Sequence, residues 1–72
     1  MLRLSKLSGR KCVKILCNKF DFQIVRQTGS HIILRKGSVG TVVPNHKQLK
    51  IGTIKGILEL ARINEAEFAE KQ

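Results

Sequence analysis

The chain has two histidines, His31 directly after Gly29-Ser30 and His46 directly before Lys47, among 14 lysines and arginines and only 5 carboxylates. An imidazole has a reference pKa of about 6.5, so it can take or give a proton near neutrality. Lys and Arg can stabilise the negative charge that builds on a phosphate in a transition state. RNA carries its own nucleophile, the 2′-OH, so it can be cut without a metal by removing that proton, protonating the 5′ leaving oxygen and holding the charge on phosphorus. DNA lacks that hydroxyl, which points a metal-free catalyst of this composition toward RNA. On position alone each histidine also fits a plainer role. His31 could be a strand-edge residue after a turn, and His46 a solvated loop residue or a phosphate contact.

Other chemistries are poorly served. Metal-dependent nucleases and phosphatases hold divalent cations with several carboxylates, and Asp21 is the only one before residue 59. There is no GxxxxGK[ST] loop, no GxGxxG after a strand, and no Ser, His and acid set with an evident partner near a nucleophile. No cofactor or metal is expected. Cys12 and Cys17, five apart on a predicted helix, are separated by about 7.5 Å along its axis, beyond the usual disulfide reach of about 7 Å. They are expected to be buried thiols, since the ligand spacing of a zinc site is missing.

The charge is unevenly distributed. Residues 1–58 hold 12 basic residues and one acid, whereas residues 59–72 hold two basic residues and four acids, within a net charge of +9. A body so depleted in carboxylates calls for an anionic partner: RNA, DNA, an anionic membrane or an acidic protein. The blander alternative is a soluble domain that is merely basic. No apolar run approaches the roughly 20 residues of a membrane span. The N-terminal stretch has no unbroken apolar core of a secretory signal, so a cytoplasmic protein with no membrane partner is expected.

Seventy-two residues allow one thin-cored domain, 1–72, since a chain this short buries only about 60% of its unfolded surface. Ser8 is a candidate N-cap for a helix over Gly9 to Lys19, with Cys12, Val13, Leu16, Cys17 and Phe20 at helical spacing. Arg10 and Lys11 fall at its positive end, where an external anion would offset the helix dipole. From Phe22 the residues FQIVRQT favour a strand, followed by Gly29-Ser30 and a second strand, HIILRK, in a hairpin. A break at Gly37-Ser38-Val39-Gly40 precedes a short third strand, TVVP, ended by Pro44. The facing of each strand residue stays open, because a one-residue change in turn length inverts the pattern.

Asn45 to Lys50 reads as a polar loop. Gly52-Thr53 opens a second helix with Thr53 as N-cap, and Ile54, Ile57, Leu58 and Ala61 form its apolar stripe. Asn64 with Glu67 three residues on caps a short final helix, EAEFAEK, whose Phe68 closes the core. The expected fold class is α+β: α-β-β-β-α, a three-stranded antiparallel sheet packed on helices, with a short C-terminal helix.

The run VRQTGSHIILRK followed by TVVPNHKQLKIGTIKGIL resembles the HicA family of toxin ribonucleases. That pattern joins a Gly-Ser-His turn, a Val-Pro-x-His segment and a Leu-Lys-x-Gly-Thr helix start, and it covers about Leu7 to Phe68. The resemblance implies a double-stranded-RNA-binding-domain-like fold and metal-independent cleavage of mRNA. It also implies dependence on the histidine of the Gly-Ser-His turn and silencing by a HicB-like antitoxin. His31 is then the catalytic residue. Gly29 would supply the tight turn, and Ser30 would orient the imidazole or contact phosphate. His46 is a second proton-transfer or phosphate group. Lys47 and Lys50, with the helix start at Gly52-Thr53, would form an anion site, and Lys55, Arg26 and Arg35 are further candidates for RNA contact. Ile32-Ile33-Leu34 are aliphatic where many family members have an aromatic residue or a second histidine. With Phe20, Phe22 and Phe68 the only aromatics, substrate choice is expected to rest on backbone shape and charge.

Two other readings are open. One is a non-catalytic double-stranded-RNA-binding module using Lys47, Lys50 and Lys55. The other is an interaction subunit docking an acidic partner, which is compatible with the nuclease. A clamp of the KH type at Gly37-Ser38-Val39-Gly40 is disfavoured, because there GxxG lies between strands and not between helices.

Overall fold

The computed structural model describes residues 3–72. The element order is α1 (Gly9–Lys19), β1 (Gln23–Thr28), β2 (His31–Lys36), β3 (Val39–Pro44), α2 (Ile51–Ala61) and α3 (Glu65–Glu70). This is the α-β-β-β-α order expected from the sequence, with its short final helix. Among the described residues no helix is long and apolar enough to cross a membrane.

Helix α1 starts where Ser8, in an extended conformation, accepts the Lys11 N–H on its hydroxyl at 3.0 Å. The side chain satisfies a donor that the first turn would otherwise leave open. The helix ends at Phe20, and Asp21 then takes a left-handed φ of 61°, which an Asp tolerates better than most residues. Cys12, Val13, Ile15 and Leu16 form its buried face. Cys17, expected to be buried, is only half-buried, and both cysteines are free thiols.

The sheet is antiparallel in the order β1-β2-β3. Both hairpins turn on Gly-Ser, with Gly29 at φ 59° and Gly37 at φ 61°. Glycine adopts that conformation without strain, as the first central position of a type II′ turn requires. Because Gly37-Ser38 alone makes the second turn, pairing resumes at Val39 opposite Lys36, with Gly40 opposite Arg35. The third strand is therefore longer than TVVP, and Gly37 to Gly40 is hairpin and not clamp. Register also settles the facing. Ile32 and Leu34 pair with Val43 and Thr41 and are buried, so His31, Ile33 and Arg35 look away from the helices.

Helices α1 and α2 pack on β3, and their buried residues join Ile32, Leu34 and Val43 in a core closed by Phe68. The Thr41 hydroxyl, buried on β3, donates to the Ile57 carbonyl of α2 at 2.8 Å, which gives the one buried polar side chain among the described residues a partner. Phe20 and Phe68 stack with centroids 6.1 Å apart.

The start of α2 also differs from the expectation. Thr53 does not cap α2. Lys50 is the N-cap residue, extended at φ −73° and ψ 153°, and makes no side-chain cap. The chain is pinned just before it, where buried Leu49 donates its N–H to the Leu7 carbonyl at 2.7 Å, so the helix starts at Ile51 and Thr53 falls inside its first turn. The far end closes with Arg62 in the left-handed region at φ 58° and the Ile63 N–H on the Leu58 carbonyl at 3.0 Å, a Schellman pattern without its usual glycine. Helix α3 is capped as expected by the Asn64 carboxamide oxygen, which accepts from Ala66 and Glu67.

Candidate active site

His31 is the first residue of β2 and its Cα faces Pro44, the last residue of β3. The residues on either side of that pair close a short chain of backbone hydrogen bonds. Asn45 donates its N–H to the Ser30 carbonyl at 2.6 Å, His46 donates to the Pro44 carbonyl at 2.9 Å, and Gly9 donates to the His46 carbonyl at 2.9 Å. The Gly-Ser-His turn, the Pro44-Asn45-His46 segment and the start of α1 thus meet at one end of the sheet. Their N–H and C=O groups lie beyond the strand ladder, and these bonds satisfy them.

Both histidines are exposed, as are Ser30, Lys47 and Lys50. An imidazole buried among aliphatic side chains could not meet a polymer phosphate; His31 is open to solvent on the face away from the helices. His46 and Lys47 follow Asn45, which is bonded to Ser30, so the structure brings the second histidine and its neighbouring lysine to the end of the sheet where His31 sits, whereas Lys50, beyond buried Leu49, begins α2 in the helix layer. The uncapped first turn of α2 opens beside Lys50, leaving amide groups of Ile51, Gly52 and Thr53 without intrahelical partners.

The other cations are more dispersed. Arg26 is opposite Ile33, diagonal to His31 at a Cα separation of about 7–8 Å, within reach of a long side chain. Arg35 shares that face but lies about 13 Å along the strand from His31. Lys55 lines a different groove, between α2 and α3, together with Glu59 and Glu65.

Three contributors were not singled out from the sequence. Gln27 donates from its side-chain amide to the Gly29 carbonyl at 3.2 Å, bracing the turn that presents His31; an amide-bearing residue two places before a turn glycine is a weak signal of this kind. Asn45 ties the loop to Ser30 through its backbone, which any residue but proline could do. At Gly9 an added Cβ would collide with the Pro44 carbonyl oxygen and come within 3.0 Å of the Asn45 Cα. This close approach depends on packing between distant parts of the chain and leaves no local trace.

Away from this site, Cys12 is fully buried and desolvation pushes its thiol up to about 12, while burial raises that of Cys17 as well. Raised thiols are poor nucleophiles at neutral pH. Among the described residues no group of three His, Cys, Asp or Glu side chains is placed to hold a metal ion.

A family model described as the HicA toxin of bacterial toxin-antitoxin matches residues 9–63, from the first residue of α1 to just beyond α2. No curated protein and no solved structure matches the chain.

Proposed function

The chain belongs to the HicA toxin family and is thereby a toxin of a toxin–antitoxin system with an antitoxin partner, and from that premise we propose that it is a metal-independent endoribonuclease that cleaves mRNA in the cytoplasm through His31. The observation that carries the reading is the setting of His31: an exposed imidazole on a glycine-made turn, tied through Ser30 and Asn45 to the segment bearing His46 and Lys47.

The chemistry is a transfer within the RNA. One imidazole takes the proton of the 2′-OH, the 2′ oxygen bonds to phosphorus, and the bond to the 5′ oxygen breaks as that oxygen receives a proton. The products are a 2′,3′-cyclic phosphate and a free 5′-OH, with protons and electrons balanced and no outside nucleophile. His31 is general base or acid, and His46 is the second proton-transfer group or a phosphate contact. Lys47, Lys50 and Arg26 stabilise the charge on phosphorus, and Thr53 lies where the α2 amides meet a neighbouring phosphate. Ser30 contacts phosphate or orients the ring, and Gly29 keeps the turn. Arg35 and Lys55 meet phosphates farther along the polymer. A HicB-like antitoxin silences the enzyme.

The deciding experiment is cleavage of an mRNA by the purified chain and by His31→Ala. The variant is expected to keep its circular dichroism and salt-sensitive RNA binding while cleaving slower by about 10²–10⁴-fold. EDTA should leave wild-type cleavage unchanged. Undiminished cleavage by His31→Ala overturns the assignment. RNA binding without any turnover by the wild type returns the chain to the class of binding modules.

A further inference from the structure

We infer that the open groove between α1 and β1 is where an acidic segment of the antitoxin, carrying apolar side chains, docks. The inference rests on reading the chain as a toxin held by a protein partner, and it adds the surface and the chemistry of the contact.

All of β1 is exposed, and Ile24 and Val25 leave 55% and 54% of their surface to solvent. The strand also carries a bulge between Ile24 and Arg26. Ile24 is opposite Leu34, whose side chain is at the centre of the core, so Ile24 is directed to the helix side of the sheet. The helices lie over β3 and leave that part of the sheet uncovered. There Ile24 meets Val13, Cys17 and Ile32 across a groove of about 630 Å³, with Arg10 and Lys14 of α1 around it and no carboxylate among the described residues that line it.

Those features select the occupant. Exposed Ile24, set over the buried side chains of Val13 and Ile32, calls for an apolar partner, which a sugar–phosphate backbone does not supply. A nucleobase would need an aromatic platform, and none of the described residues lining the groove is aromatic. A second copy of this chain would bring the same Arg10 and Lys14 into a contact between two molecules of charge +9. A protein segment with apolar residues flanked by Asp or Glu fits both the floor and the rim, and its charge speeds association. Asn45 also lines the groove and holds the Ser30 carbonyl next to His31. An occupant therefore ends at the backbone joint behind the catalytic turn, on the face of the sheet opposite the His31 side chain, and neutralises Arg10 and Lys14.

The test uses the full chain and its cognate antitoxin, obtained by co-expression and then separated for calorimetry. Ile24→Asp is expected to weaken antitoxin binding at least about tenfold while the free variant cleaves RNA at the wild-type rate. Arg10→Glu with Lys14→Glu should also weaken the complex and flatten its salt dependence. Leu60→Asp, at an exposed position on α2, should change nothing. A photo-cross-linking residue at position 24 should attach to the antitoxin, a readout independent of variant stability. Wild-type affinity for Ile24→Asp, absence of that cross-link, or loss of RNA binding in place of antitoxin binding overturns the inference. If even the wild type cleaves no RNA, the nuclease reading falls, while the binding data still decide the docking surface.

Discussion

Strands β1 and β3 are the two edges of one sheet and are equal in length, yet Thr41 and Val43 of β3 are buried while every residue of β1 is exposed. Both are rich in β-branched residues, so strand propensity does not separate them. What separates them is the placement of the helices, which pack on β3, while β1 has, among the described residues, β2 as its only strand neighbour. The covered edge supports the fold and carries Pro44 to its contact with α1. The bare edge contributes nothing to the core and is free for recognition.

The sharpest way to break this contrast is to truncate two residues that face each other across the strands, Leu34 and Ile24. Leu34→Ala should lower unfolding free energy by about 2–5 kcal/mol, whereas Ile24→Ala should stay within about 0.5 kcal/mol of wild type. Urea unfolding of both variants measures this, and similar losses would mean that β1 is part of the core after all.

A smaller effect probes the joint between the covered edge and α1. Gly9→Ala should gain helix propensity by about 1 kcal/mol, but its methyl group meets the Pro44 carbonyl, which is backbone and cannot swing away. A net loss of about 1–3 kcal/mol is expected, with slower RNA cleavage as Pro44-Asn45-His46 shifts against His31. A stabilised and fully active Gly9→Ala would show that the joint is loose.

The smallest expected effect concerns pH on the covered side. The Cys12 thiol is raised from 9.0 to about 12 in the folded chain. Above its ordinary value the unfolded chain therefore releases a proton that the folded chain keeps, and stability falls as pH rises. By about pH 10 the loss from this group should be about 1–2 kcal/mol, with no contribution near neutrality. Comparing the pH dependence of unfolding in wild type and Cys12→Ala isolates it, because lysines titrate in both. Equal slopes would deny that Cys12 is desolvated.

The element boundaries were largely legible along the chain because the determinants are local. Ser8 and Asn64 have side chains that reach open helical amides, Gly29 and Gly37 permit positive φ, and Ile54, Ile57, Leu58 and Ala61 recur with the helical period. The Gly-Ser-His and Val-Pro-x-His runs marked the candidate site in the same way. The exceptions show where local chemistry is overridden. Thr53 has a capping side chain, yet the helix begins earlier because Leu49 is held by Leu7, a residue far away in sequence. Likewise the third strand is longer than its flanking glycines suggested, since a two-residue turn lets pairing resume at Val39.

The amino-acid sequence by itself determined the helices, the hairpins, the positive charge and the residues able to move protons, because each follows from side-chain type and short-range spacing. Only the tertiary structure decided which faces of the strands are buried, that β1 is left bare, that Gly9 touches Pro44, and that His31 and His46 share one end of the sheet. Those outcomes depend on how helices distant in sequence settle over the sheet, and that arrangement is chosen by the burial of apolar surface, which no single segment encodes.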